Sequence, residues 1–150
     1  MIVPDINLLL YAYDADSPAH SQAAAWWQQC LSGDNPIGLT PIVTFGFLRI
    51  ATNLRVFENP MTPSEAAGHI RSWLAQPIVQ ILQPGPEHLE QVLASLERLG
   101  TAGNLVTDAQ IAVLVIEHEA VLHTTDTDFM RFSGLRWLNP LTGAGSRRFR

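Results

Sequence analysis

The chain has 150 residues, 47% of them hydrophobic and 15% charged, a balance that suits one globular domain with a sizeable core and excludes a disordered chain. Its net charge is -5, and all nine basic residues are arginine, which excludes a protein that wraps long nucleic acid by charge alone. Acidic chains still act on phosphodiesters when their acids gather around a cation, because the bound ion reverses the local sign.

No apolar run approaches the length of a membrane span; Ile111–Ile116 is typical. Met1–Asp5 lacks the basic-then-greasy pattern of a secretion signal, and Cys30 has no disulfide partner, so a reducing cytoplasm is the expected compartment.

In chain order, Ile2–Ile6 reads as a short apolar strand. Ser17-Pro18, Thr40-Pro41 and Thr62-Pro63 each set a hydroxyl N-cap before a proline suited to the first helical position. Thr62 to Glu65 adds capping-box spacing. Ile37–Leu39, Ile78–Leu82, Val121–Thr124 and, more weakly, Leu135–Leu138 read as further strands. Pro86 opens a helix that closes near Gly100, and another runs from Asn104 or Thr107 to Glu119. Short apolar strands alternating with helices predict a three-layer α/β/α domain over 1–141, with a central, mostly parallel sheet of four to five strands. Residues 142–150, with two glycines and three arginines, read as a flexible tail, either solvated or touching RNA phosphates.

Ligands of such sheets gather beyond the carboxyl ends of the strands, and the informative acids fall there. Asp5 stands inside the apolar run Met1–Leu10, where a bare carboxylate is costly unless paired or bound to metal; the alternative is a cap on a helix starting near Asn7. If the strand continues, Asn7 projects from the same face as Asp5. Asp126 and Asp128 follow the fourth strand, close enough to repel unless a cation or a proton intervenes. Asp108 sits at or near a helix start, where the helix dipole alone would favour it. Carboxylates from three segments suit a hard divalent ion such as Mg²⁺ or Mn²⁺, which can lower the pKa of a bound water and orient it toward a phosphorus. The five histidines are scattered and Cys30 is alone, which excludes a zinc set, and no Gly-rich phosphate loop is present.

Asp5-Ile-Asn-Leu-Leu-Leu-Tyr-Ala12, Thr107-Asp-Ala-Gln-Ile-Ala112 and Thr124-Thr-Asp-Thr-Asp-Phe129 resemble the PIN domain, most closely the VapC toxins of bacterial toxin–antitoxin pairs. The stretch from Asp128 to Leu141 is similar to one VapC subgroup. The resemblance covers the chain in order. It implies Asp5, Asp108 and Asp126 as catalytic acids and metal ligands, Asp128 as a fourth ligand or one acting through water, and Asn7 and Thr125 as supporting groups. It further implies Mg²⁺- or Mn²⁺-dependent cleavage of a structured RNA such as tRNA or ribosomal RNA, a small VapB antitoxin that blocks the site, and a homodimer.

One position departs from the family pattern: Gly46 stands where a glutamate is expected, and neither Glu58 nor Glu119 replaces it. Arg49, one turn from Gly46, reads either as a phosphate contact in the cleft or as a surface arginine. Trp26, Trp27, Trp73 and Trp137 suit core or interface positions better than base stacking. The apolar surfaces of the first two long helices are where dimer and antitoxin contacts are expected. Two other readings stay open: a PIN scaffold without catalysis that binds RNA or a partner, for which Gly46 speaks, and a phosphotransferase with Asp5 as nucleophile, against which Asn7 speaks.

Overall fold

The computed structural model describes residues 1–146. Five strands form one parallel sheet in the order β3-β2-β1-β4-β5, with β1 at Ile2–Pro4, β2 at Ile37–Leu39, β3 at Val79–Ile81, β4 at Val121–His123 and β5 at Trp137–Leu138. The connections hold α1 (Ile6–Tyr13), α2 (His20–Ser32), α3 (Pro41–Ala51), α4 (Pro63–Leu74), α5 (His88–Leu99) and α6 (Leu105–Glu117). A 3-10 turn spans Thr127–Arg131. The sheet grows from β1 to β3 in one direction, then the chain crosses back over β2 and β1 to add β4. Right-handed crossovers therefore put α1–α4 on one face and α5–α6 on the other, the expected three-layer α/β/α arrangement.

The strands are only three residues long at most, and β1 and β2 are buried throughout, which is why they read as plain apolar runs without alternation. Three strand ends were expected one or two residues too late. The clearest case is Ile6, which is helical: Asp5 turns out of β1 with extended backbone and caps α1 by accepting the amide of Ile6 at 2.7 Å. An apolar run does not distinguish a buried helix from a strand, and here the cap decides. This also removes the basis for pairing Asn7 with Asp5. Residues two apart share a face in a strand but not in a helix.

The other caps follow their chemistry. Thr40 accepts the Val43 amide and Thr62 the Glu65 amide, each at 3.1 Å and each before its proline. Gly100 takes a left-handed φ of 69° to end α5. Ser17-Pro18 differs: Ser17 accepts the Ala19 amide in a turn, and α2 begins only at His20. Residues 142–146 are not loose, since Leu138 pairs with Gly145, and Ser146 exchanges hydrogen bonds with Trp137. Their backbone groups find partners on the open edge of β5. The remainder of the expected tail, 147–150, lies outside the described residues.

Three of the four tryptophans are core residues. Trp27 and Trp73 meet edge to face with centroids 5.5 Å apart, and the Trp73 indole donates to the Tyr13 hydroxyl at 2.7 Å. Trp26, on α2, donates to Nδ1 of His123 on β4 at 3.0 Å, tying that helix to the sheet. Among the described residues no helix is long and apolar enough to cross a membrane.

Burial, with a smaller push from the N-terminal ammonium, lowers the His123 pKa from 6.5 to about 4. Its stabilising contribution is full above pH 6.5 and is lost as pH falls toward 4, because only the unfolded chain protonates freely in that window. Between pH 7 and pH 5 the loss from this residue is about 2 kcal/mol. Urea unfolding at both pH values checks it: His123→Asn, which keeps an acceptor for Trp26, should lack this part of the pH dependence.

Candidate metal centre

Three kinds of chain end meet at one edge of the sheet. Asp5 follows β1 directly, Thr40 follows β2, and Thr124 to Asp128 follow β4. The sixth helix precedes β4 and runs opposite to it, so the first turn of α6, with Asp108, returns to the same edge.

Asp5 is 4% exposed, and both its oxygens are engaged. Oδ1 accepts the Ile6 amide at 2.7 Å, and Oδ2 accepts the Thr124 hydroxyl at 2.8 Å. The Thr124 oxygen in turn accepts the Asp126 amide at 3.0 Å, and Asp126 accepts the Asp128 amide at 2.9 Å, capping the 3-10 turn. A chain of hydrogen bonds thus runs Asp5–Thr124–Asp126–Asp128 and fixes the spacing of three acids. Asp108 reaches in from α6. Asp108, Asp126 and Asp128 each place one carboxylate oxygen within 4.8 Å of the other two, while Asp5 lies deeper. Asp108 and Asp126 therefore meet, and the third member of the group is Asp128 rather than Asp5, which was expected beside them.

The electrostatics report the crowding. Asp108 is pushed up from 3.8 to about 6, first by burial and then by the charges of Asp126, Asp5 and Asp128. Asp5 also rises to about 6, mainly from burial, although its bonds to Thr124 and Ile6 oppose the shift and Asp126 adds to it. In low dielectric each added negative charge raises the next acid's cost, so the arrangement favours a proton or a cation among the oxygens. The donor set is oxygen alone, three carboxylates at mutual distances one ion can span, with Asp126 and Asp108 half-buried and Asp128 open to solvent. That chemistry fits a hard divalent cation that keeps several waters.

The supporting residues divide. Thr124, 1% exposed, is the hydroxyl that links the acids. Its neighbour Thr125, the expected supporting group, makes no side-chain hydrogen bond among the described residues. The usable signal was position: the residue just past the last strand residue stays buried, and the next one turns outward. Asn7 likewise makes no side-chain hydrogen bond among the described residues and sits in the first turn of α1. Arg49 is exposed on α3 and forms no ion pair among the described residues. Gly46 is buried against Ile6: a Cβ there would overlap Ile6 Cδ1 and stand 3.0 Å from Cγ1. Glu58 is exposed in the connection after α3, and Glu119 is exposed beyond the far end of α6, where its carbonyl accepts from Arg136.

Two outcomes test this geometry. In metal-free protein at pH 7.5, Asp108→Asn should raise stability by about 1 kcal/mol by relieving repulsion. The gain should fade as pH falls from about 6 toward 4, because a raised carboxyl pKa lowers stability only where the group must ionise. Paired thermal melts at pH 7.5 and pH 4.5 read it. Thr124→Val removes one donor and one acceptor from a buried network and should destabilise the chain by about 1–3 kcal/mol, measured by urea unfolding.

The PIN domain model matches residues 2–135. The chain is 50% identical over 141 residues to Ribonuclease VapC33 of Mycobacterium tuberculosis, covering 94% of this chain and 99% of that protein. Among solved structures, the sarcin–ricin-loop-cleaving toxin VapC20 of Mycobacterium tuberculosis superposes with a TM-score of 0.68 at 18% identity, covering 90% of this chain and 96% of that one. VapBC2 of Rickettsia felis, bound to a DNA fragment from its promoter, gives 0.63 at 18% identity, covering 91% of this chain and 97% of that one. At those identities the two structures share the fold. With the domain match spanning nearly the whole chain and a full-length relative at 50% identity, the chain belongs to the PIN-domain family, among the VapC ribonucleases.

Proposed function

We propose that this chain is the toxin of a toxin–antitoxin pair, an endoribonuclease that hydrolyses phosphodiester bonds in a structured RNA, tRNA or ribosomal RNA, with Mg²⁺ or Mn²⁺ at the acidic cluster. The observation that carries the reading is the convergence of Asp108, Asp126 and Asp128, backed by buried Asp5, at the carboxyl edge of a parallel sheet. Asp108, Asp126 and Asp128 are the proposed ligands. Asp5, the fourth acid, holds Thr124 and through it Asp126, and adds negative charge from behind. A divalent ion bound there would supply a positive template for phosphate oxygens and favour the ionised form of a water.

The chain's own groups have separable tasks. Thr124 keeps Asp5 and Asp126 in register, and the amide of Asp128 fixes the rotamer of Asp126. Asp128 is exposed and its carboxylate accepts no hydrogen bond among the described residues, so it would meet the ion from the solvent side, where water and a phosphate can approach. Hydrolysis then joins the water oxygen to phosphorus and breaks the bond to the 3′-oxygen, which takes up a proton, leaving a 5′-phosphate and a 3′-hydroxyl. Arg49 is the proposed contact for a neighbouring phosphate, since among the described residues no carboxylate neutralises it.

The proposed partners are a VapB-type antitoxin, in line with the VapBC2 assembly, and a second copy of this chain, with the pair working in the cytoplasm. Of the first two long helices, where these contacts were expected, α2 buries its tryptophans and α3 carries Phe45, which is 68% exposed; Leu89 on α5 is 71% exposed.

Purified chain free of antitoxin, incubated with total RNA in EDTA, Mg²⁺ or Mn²⁺, tests the proposal. Discrete 5′-phosphate ends should appear only with the metal, and Asp126→Asn should cut at least about 100-fold more slowly without a lower Tm. RNA left intact at millimolar Mn²⁺ would favour a scaffold that binds without cutting.

A further inference from the structure

Resting on that reading of the acids as a metal centre that cuts RNA, we infer that Arg131 holds the RNA phosphate next to the one being cut. The 3-10 turn after β4 places it there. A 3-10 helix has about three residues per turn, so side chains at i and i+3 lie one above the other in rows. Burial shows the rows in Thr127–Arg131 and the residue that follows. Phe129 and Phe132 form the inner row, 1% and 5% exposed, with ring centroids 6.3 Å apart. Thr127 with Met130, and Asp128 with Arg131, form the outer rows, and all of these are exposed.

Asp128 and Arg131 therefore project from one row. The Asp128 carboxylate belongs to the acid cluster, with an oxygen within 4.8 Å of oxygens of Asp108 and Asp126. Arg131 starts one turn further on, a rise of about 6 Å along the axis and away from Asp126. Its guanidinium makes no ion pair and no hydrogen bond among the described residues, although Asp128 is one turn back. The neighbouring charges that raise the pKa of Asp5 and Asp108 are all carboxylates, and no arginine offsets them. The charge of Arg131 is thus not spent on the acids. An RNA strand that brings one phosphate to the cluster must lay the next one beside it, on a chain of net charge -5 without lysine. A guanidinium one turn from a proposed ligand meets that need, being permanently charged and able to take two phosphate oxygens at once. The paired phenylalanines beneath it anchor the turn in the core. This contact is separate from the one offered by Arg49 on α3.

Binding and cutting are read separately. Fluorescently labelled bulk tRNA is titrated with wild type, Arg131→Gln, Arg131→Lys and Arg71→Gln in EDTA over a range of salt. Arg71 stands in the last turn of α4, ahead of β3 and so at the opposite edge of the sheet, and controls for the loss of a charge. Arg131→Gln should bind about tenfold more weakly. Its slope of log affinity against log salt should shrink by about 1. Arg131→Lys should keep the slope, and Arg71→Gln should keep both slope and affinity. All four should melt alike, since Arg131 bonds to no other described residue. With Mn²⁺, Arg131→Gln should cut total RNA about tenfold more slowly at low protein and match wild type at saturating protein, because the loss lies in binding. Wild-type affinity and salt slope in Arg131→Gln, or an equal loss in Arg71→Gln, would overturn the inference while leaving the nuclease reading intact. A binding defect in Arg131→Gln beside a wild type that cuts no RNA with Mn²⁺ would leave the phosphate contact standing and overturn the nuclease reading.

Discussion

The constraint on which the structure turns is the crowding of four carboxylates at the edge of a short parallel sheet. Like charges so close are tolerated because the fold surrounds them with fixed donors rather than with opposite charges. Asp5 is held by an amide and a hydroxyl, Asp126 by the amide of Asp128, and Thr124 joins the two sets. Among the described residues no arginine neutralises any of them. The residual repulsion appears as raised carboxyl pKa values at Asp5 and Asp108. A site built this way is unstable toward gaining a cation, which is what a metal-dependent hydrolase needs from its resting state.

The same edge explains the order of the chain. Each of β1, β2 and β4 is only three residues long and gives way at once to a polar residue that turns or caps: Asp5, Thr40 and Thr124. In this fold one residue often carries both tasks. Asp5 starts a helix and lies behind the acid cluster, and Asp126 caps the 3-10 turn while offering a carboxylate oxygen to the cluster. At Asp126 a cap and a cluster oxygen thus share one side chain, and the cap expected as one alternative for Asp5 is present.

Much of this was legible in the residues. The hydroxyl–proline pairs at Thr40 and Thr62 marked helix starts because the physics is local, and the glycine at 100 marked an end for the same reason. The acids were legible because charge inside or beside apolar runs needs an explanation. The features that stayed hidden depended on tertiary neighbours or on one residue of register. The first helix looked like a continued strand, so Asn7 was credited with a face it does not share. Thr124 was passed over for Thr125 because sequence does not say which of two adjacent hydroxyls faces inward. Gly46 read as a missing acid, whereas its physical meaning is the space it leaves for Ile6. The tryptophans already read as core or interface residues; what stayed hidden was their partners, Tyr13 and His123, which are distant in sequence.

The account stands or falls on where a cation sits. A crystal structure grown or soaked with Mn²⁺, with the metal located by its anomalous scattering, is the most direct measurement. The account predicts one peak coordinated by oxygens of Asp108, Asp126 and Asp128, with Asp5 still bonded to Thr124. A peak elsewhere on the molecule, or none at this edge with the acids protonated or splayed apart, would contradict it.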